Sequence, residues 1–427
     1  MAFSPISLPN GSTIKNRIVK AAMEESMADV EHHCQPSEAM IKLYDAWGAG
    51  GSGLILSGHV MIDPLAMALA GDTLLAEDAG PQDDRVWRRL ISKTKAHGAQ
   101  FWLQINHPGR QVKKQVGIEA YGPSDVQVNM GRLTALFGKP IAMSEEKIQD
   151  IISRFAWAAR KAEELGADGV EVHAAHGYLI SAFLSPLANV RTDRWGGSRE
   201  NRARLLFEVL KAVRANVSPS FGVAVKINSS DFQKGGFDSE DLLWIVKQLN
   251  TMNVDFIEIS GGNYESPAMA GSHMVMDEKT AQSSTTIREM YFFEAAKQVE
   301  QVATMPVVVT GGIRKRATLD AVVASSDRLL AGVGTAIGLI PDLPNRWQRG
   351  EDPSPSTSPT WVLPKMLVSI AAIAAVHWNM AATGGQGRAW QGVWPLIAFG
   401  WDQIRDAKQT KQYQKWAKVL LEKRHVL

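Results

Sequence analysis

Two imidazoles and a phenol fall within one short run, Glu171-Val172-His173-Ala174-Ala175-His176-Gly177-Tyr178. The histidines stand three residues apart, just past a stretch that reads as a strand, and Tyr178 follows two residues later. An imidazole N–H donates to a carbonyl oxygen, and two such donors take up the negative charge of a forming enolate. A phenol, with a pKa near about 10, stays protonated at neutral pH and can deliver a proton. A metal is the competing chemistry. Two histidines at this spacing can be zinc ligands, but a third ligand is then needed. His59 and His107 also lie near strand ends, so the residue types alone leave that reading open.

Two glycine loops form a second group. They are Thr310-Gly311-Gly312-Ile313-Arg314 and Gly332-Val333-Gly334-Thr335. Each closes an apolar run. A glycine pair alone is usually a turn, but two such loops at consecutive strand ends suit a phosphate held by backbone amides. Arg314 and Arg316 add charge nearby. Gln104 closes another run, and Lys226 sits inside Val223-Ala224-Val225-Lys226-Ile227. A buried ammonium is costly without an anionic partner. A cofactor is the favoured partner for Lys226, ahead of an ion pair with Glu171 or Glu258.

Positioning these groups takes a regular scaffold. Short apolar runs occur at Ile18–Met23, Gly53–Gly58, Phe101–Ile105, Gly169–Ala174, Val223–Ile227, Phe256–Gly261, Pro306–Gly311 and Arg328–Gly334. They read as strands covered on both faces. Helical periodicity fills the intervals, as in Pro81–His97, Ser144–Leu165, Ser198–Ala215, Ser239–Asn250 and Ile287–Gln301. The alternation implies right-handed parallel units, and eight of them close into an α/β protein of the (β/α)8 TIM-barrel class. An open doubly wound sheet is the second choice, but it lacks its glycine-rich first turn. In a barrel the reactive groups gather at the C-terminal strand ends, where both chemical groups fall. Ile6–Ile14, with Asn10-Gly11 at its centre, reads as an N-terminal β-hairpin plugging the barrel bottom. Long connections at 106–143 and 260–286 read as lids or binding loops on the catalytic face.

The 427 residues are 45% apolar and 21% charged, with net charge +2, an ordinary globular balance with no nucleic-acid footprint. The single cysteine, Cys34, rules out a disulfide framework and a cysteine-held cluster. It reads as a buried thiol before a redox modulator. The start shows no signal peptide, so a cytoplasmic protein is expected. Residues 1–350 are expected to form the barrel. Residues 351–360, with Pro353, Pro355 and Pro359, read as a linker. Residues 361–427 carry six of the thirteen tryptophans and a surplus of basic side chains. This C-terminal helical extension is expected to pack on the barrel or on a second subunit, before a membrane-surface role. Its apolar stretch, 362–376, is too short to span a bilayer.

The run Gly169–Arg214 carries a resemblance. It contains the His173–Leu179 segment, then Phe183-Leu184-Ser185-Pro186-Leu187, Arg191-Thr192-Asp193-Arg194-Trp195-Gly196-Gly197-Ser198 and Glu200-Asn201-Arg202. Asn16–Met23, Leu103–Arg110 and Val309–Ile313 add shorter matches. Over residues 1–350 the chain resembles the Old Yellow Enzyme family of FMN-dependent NAD(P)H oxidoreductases. The resemblance implies FMN at the barrel top, with NADPH or NADH as hydride donor. It implies that Ala22 and Met23 touch the flavin, Gln104 meets its pyrimidine edge and Lys226 stands by N1 and O2. Gly311, Gly312, Gly334 and Thr335 would surround the phosphate. His173 and His176 would bind the electron-withdrawing group of a small-molecule substrate, and Tyr178 would protonate the α-carbon of an enone, quinone or nitro compound.

Three residues depart from the family pattern. Lysine at 226 replaces the usual arginine and cannot make a paired contact. Thr335 stands where arginine is frequent. Glu24 occupies a position of threonine or cysteine near the flavin carbonyl, and a carboxylate facing the ring would lower its potential. A zinc-dependent lyase or hydrolase using His173 and His176 remains the second hypothesis, and a non-catalytic protein using the tryptophan-rich tail the third. A homo-oligomer is compatible with that tail.

Overall fold

The computed structural model describes residues 1–116, 120–266, 283–353, 355, 365–387 and 394–424. Eight parallel strands form the centre: β1 (Ile18–Lys20), β2 (Leu54–Met61), β3 (Gln100–Asn106), β4 (Gly169–Ala174), β5 (Gly222–Asn228), β6 (Phe256–Ser260), β7 (Val307–Thr310) and β8 (Leu329–Val333). Each pairs with the next, and β8 returns to β1, so the sheet closes into the expected (β/α)8 barrel. Helix α1 (Glu38–Ala49) comes first; the five helices named from the sequence follow as α2 (Asp84–Lys95), α3 (Glu145–Leu165), α4 (Arg199–Asn216), α5 (Ser239–Leu249) and α6 (Ser283–Val302), and α7 (Arg316–Ala324) comes after them. Local chemistry sets their ends. Ser37, Ser144 and Ser198 each accept the N–H three residues on, capping α1, α3 and α4. Gly166 ends α3 at φ 97°, a left-handed turn that suits glycine.

Period-two alternation sorts the strand residues. Outward positions such as Ile55, Leu103, Val170, Val172, Val225 and Ile257 join the core beneath the helices. Inward positions stack in layers. The lowest holds Val19, Leu54, Trp102, Phe256, Val308 and Leu330, packed with Leu8 and Ile14. The hairpin supplying those two pairs Ile6–Ser7 with Thr13–Ile14, so it does close the barrel floor. The next inward layer is polar: Gln104, Glu171, Lys226, Glu258 and Thr310 are all buried. Above it, at the mouth, stand Asn106, His173, Asn228 and Ser260.

Strand β2 runs past its expected end. A bulge at Ser57-Gly58 shifts its register against β3, and pairing resumes at His59 opposite Gln104. The extra residue re-aims the strand end, as bulges near functional sites do. Much of the 260–286 connection and six of the ten residues of the 351–360 linker lie outside the described residues. What is described of the two long connections meets at Glu265, which accepts from Arg110 and from the Asn129 N–H, both at 2.6 Å.

Two further helices, α8 (Lys365–Gln386) and α9 (Pro395–Arg424), follow the barrel. Helix α8 lies along α1, with Gly384 against the Ala39 backbone. Helix α9 packs over the catalytic end: Tyr413 and Ala417 share a buried cluster with Tyr178, Cys34 and Met67. Among the described residues no helix is long and apolar enough to cross a membrane.

Candidate active site

His173 is the last inward residue of β4 and lies opposite Lys226 in register. The Ala175 N–H donates to its Nδ1 at 3.2 Å. An accepting Nδ1 puts the ring proton on Nε2, so His173 offers a donor to the mouth. His176 follows at φ 61°, with Gly177 at φ 78°, and these two left-handed residues turn the chain sharply across the opening. Asn228 Oδ1 accepts the His176 N–H at 3.1 Å, Gln111 donates to the His176 carbonyl at 3.0 Å, and Ser260 Oγ lies 2.7 Å from its Nε2. The strained residue is therefore held from β5, β6 and the 106–143 connection.

The imidazoles and the phenol converge as the spacing predicts. The His173 ring lies 5.1 Å from those of both His176 and Tyr178, edge-on in each case. His59 completes the group, stacked on His173 at 5.4 Å and edge-on to Tyr178 at 5.0 Å. Asn106 Nδ2 lies 3.0 Å from His59 Nδ1. Burial holds His173 and His176 well below the usual imidazole range, and nearby positive charge and imidazoles push the same way. Burial also lowers His59. All three are neutral donors at pH 7, not cations. His107 is a separate, buried imidazole, pushed down to about 3 by burial. The zinc hypothesis gains nothing from this arrangement: the rings stack and cross, and among the described residues no three His, Cys, Asp or Glu converge as ligands.

Tyr178 is 3% exposed, and its hydroxyl lies 3.1 Å from that of Tyr264. Burial, then the neighbouring phenol and the Glu24 carboxyl, raise Tyr178 well above the ordinary tyrosine value. It stays protonated at any working pH. Tyr264 was not singled out from the sequence; it lies on the loop after β6, and only the closed barrel brings it beside residue 178.

Beneath the imidazoles the polar layer is internally paired. Lys226 Nζ lies 2.8 Å from Glu258 Oε1. The ion pair that sequence reasoning ranked second is thus present, supplied by the adjoining strand register. Gln104 donates to Glu171 at 2.6 Å. Burial, then the Glu258 charge, push the Glu171 carboxyl well above the usual range. Glu171 Oε1 and Glu258 Oε2 are buried without a hydrogen-bond partner. A second buried cation, Lys20, went unnoticed in the sequence. It donates to the Leu56 carbonyl, lies 3.7 Å from Glu25, and burial lowers it to about 8.

Ala22 and Met23 follow β1 and are half-buried at the mouth. A Cβ on Gly334 would meet only Met23 side-chain atoms, at 3.7 and 3.8 Å, so the β1 and β8 ends line one space. Gly311 and Gly312 have φ of 144° and 76°. Thr310 Oγ1 is buried without a partner, and a Cβ on Gly332 would approach it to 1.9 Å. Thr335 opens a short helix, Thr335–Leu339, and is half-buried. Arg316 does not serve this loop. Its guanidinium donates to Asp320 and the Trp347 carbonyl and stacks over Phe3. Cys34 is buried at φ 56°, and burial pushes its thiol well above the ordinary range, so it is unreactive. Glu24 is half-buried, and its Oε1 is buried without a hydrogen-bond partner.

The chain belongs to the NADH:flavin oxidoreductase / NADH oxidase family, whose model matches residues 2–352. It is 36% identical over 356 residues to the NADH-dependent flavin oxidoreductase iliE of Neonectria sp. (strain DH2), covering 80% of this chain and 46% of that one. It is 34% identical over 396 residues to the NADH-dependent flavin oxidoreductase iliE of Hypocrea jecorina (strain QM6a), covering 86% and 96%. Its fold matches an old yellow enzyme homologue from Zymomonas mobilis with a TM-score of 0.67 at 24% identity, covering 83% and 94%. The family uses FMN, with NADH or NADPH as hydride donor. The residues present fit that group. The orphaned Thr310 hydroxyl and the open Gly334 suit a phosphate, and the half-buried Ala22–Met23 segment suits a flat ring.

Proposed function

We propose that this protein is an FMN-dependent NAD(P)H oxidoreductase that reduces carbon–carbon double bonds activated by a carbonyl or nitro group. The bound flavin supplies hydride, taken from NAD(P)H and passed to the β-carbon of the substrate. His173 and His176 bind the oxygen of the activating group through N–H donors and take up its developing charge. Their neutrality matters, because a fixed donor needs no proton exchange during the step. Tyr178 delivers the proton to the α-carbon. Ala22 and Met23 would line the flavin. Gln104 and Lys226 would face its pyrimidine side, the lysine acting through a charge already shared with Glu258. Gly311, Gly312, Gly334 and Thr335 would hold the phosphate.

The observation that carries this reading is the meeting of His173, His176 and Tyr178 at ring separations of 5.1 Å around one opening. The test is Tyr178→Phe in stopped flow. Flavin bleaching by NADPH should persist, while reoxidation by an enone slows by roughly 10²–10⁴. Unchanged reoxidation would remove Tyr178 from the role.

A further inference from the structure

Tyr178 and Tyr264 stand on different elements, yet their hydroxyls lie 3.1 Å apart. Among the described residues neither hydroxyl has another hydrogen-bond partner. A phenol carries one proton and accepts through its oxygen. If Tyr178 donated to Tyr264, its proton would be turned away from any substrate. If Tyr264 donates to Tyr178, the Tyr178 proton is left free for the opening. Burial raises Tyr264 above the ordinary tyrosine value, so it keeps a proton to donate.

The segment bearing Tyr264 is fixed from several sides. Residues 263–266 close a tight turn: the Ser266 N–H donates to Asn263 Oδ1 at 2.8 Å, and the Asn263 N–H to the Ser266 carbonyl at 3.1 Å. Asn263 pairs with His176 in a parallel bridge and donates to Gln233 at 2.8 Å. A Cβ on Gly177 would come within 2.9 Å of Asn263 Cβ, so the turn presses on the chain leading to Tyr178. Glu265, the residue after Tyr264, anchors the turn to the 106–143 connection. Its Oε2 accepts from Arg110 and its Oε1 from the Asn129 N–H, each at 2.6 Å. The side chains of this ion pair are 5% and 10% exposed. Arg110 also donates to the Gln127 carbonyl at 3.2 Å, and the Phe137 ring lies 6.0 Å from that of Tyr264. The same connection holds the Tyr178 segment. The His107 carbonyl accepts the Leu179 N–H at 3.0 Å, and Gln111 donates to the His176 carbonyl at 3.0 Å. A buried ion pair adds little net stability, but losing one partner is costly, so it fixes a geometry. The geometry fixed here is Tyr264 against Tyr178.

We propose that Tyr264 is a positioning residue for the proton transfer: its hydroxyl donates to that of Tyr178, leaves the Tyr178 proton aimed at the substrate carbon and holds the tyrosinate that the transfer creates, with the Arg110–Glu265 pair fixing Tyr264 in place. This rests on Tyr178 being the proton donor. In the step, the Tyr178 O–H bond breaks as the substrate Cα–H bond forms, and the electron pair of the O–H bond stays on the Tyr178 oxygen. The hydrogen bond from Tyr264 becomes charge-assisted at that moment, so it strengthens in the transition state. A solvent proton then restores Tyr178. Tyr264 keeps its own proton throughout, and no electrons pass through either ring.

The test is Tyr264→Phe, which keeps the ring and removes only the hydroxyl. Flavin reduction by NADPH should run at the wild-type rate. Reoxidation by an enone should slow by roughly 10- to 100-fold, the range of a hydrogen bond to a charged group. Its solvent deuterium isotope effect should grow, because proton transfer becomes the slower event. Reoxidation by ferricyanide, which takes electrons and needs no proton on carbon, should be unchanged. Glu265→Gln should give the same pattern more weakly and keeps the test available if the first variant does not fold. In a Tyr178→Phe enzyme, adding Tyr264→Phe should cost nothing further. Unchanged enone reoxidation in Tyr264→Phe, an equal loss with ferricyanide, or a full additional loss in the double variant would overturn the proposal. The reading of Tyr178 itself fails separately, by intact enone reoxidation in Tyr178→Phe whatever Tyr264→Phe does.

Discussion

Replacing Lys226 with methionine removes the cation from the barrel's polar layer while keeping its length. The lysine is 3% exposed and lies 2.8 Å from Glu258, with Glu171 as the next carboxyl in the layer. Stripping one partner from a buried ion pair costs about 3–5 kcal/mol, mostly the penalty of the charge left behind. Here the abandoned carboxyls can escape that penalty by taking up protons. Glu171 is already raised in the folded wild type by burial and by Glu258. A carboxyl whose folded pKa is raised favours folding fully below its unfolded value, and the benefit is lost as pH rises through the folded value. Lys226→Met should therefore lose about 3–5 kcal/mol at pH 8 and clearly less at pH 5. Urea denaturation at the two pH values measures this, with the slope of the transition as a check on cooperativity. Lys226→Met/Glu258→Leu should recover much of the loss, since an apolar pair replaces the ionic one. An identical loss at pH 5 and pH 8 would show that the carboxyls do not depend on Lys226 and would refute the reasoning.

Three other outcomes follow from the same geometry. Because burial keeps His173 and His176 neutral, reoxidation by an enone should be flat from pH 6 to 8; a limb near pH 6.5 in stopped flow would place a protonating imidazole in the step. Glu24→Thr removes a carboxyl from the strand-β1 end of the mouth and should raise the flavin potential in an equilibrium redox titration. Gly332→Ala puts a methyl 1.9 Å from Thr310 Oγ1. It should cost about 1–3 kcal/mol and weaken FMN retention, read by thermal melting and by dialysis.

The barrel was legible because its strands are short, apolar and regularly spaced. All eight appear where the apolar runs fall. Two strand ends were misjudged by three residues: β1 stops at Lys20 instead of Met23, and β2 ends at Met61 instead of Gly58, the latter because a bulge breaks the alternation. His173, His176 and Tyr178 were legible because they share one strand end, so local spacing fixes their neighbourhood. Tyr264 was not, since it sits on a loop and joins the site only through closure of the sheet. Lys226 illustrates an intermediate case. Its burial followed from the strand pattern, but its pairing with Glu258 in particular needed the register between β5 and β6. The composition of the tail indicated helices against the barrel and could not say which end. The answer lies in single contacts such as Gln409 to Ser26 and Tyr413 to Pro64, which carry no pattern along the chain.

The central claim is a flavin lying across this mouth and serving both half-reactions. Anaerobic titration of the purified protein with NADPH or NADH, followed by an enone, tests it most directly. The account predicts a yellow protein whose absorbance bleaches with about one equivalent of reduced nicotinamide and returns with the enone, and which releases FMN of the correct mass on denaturation. A colourless protein, or a bound flavin that neither NADPH nor NADH reduces, would contradict it.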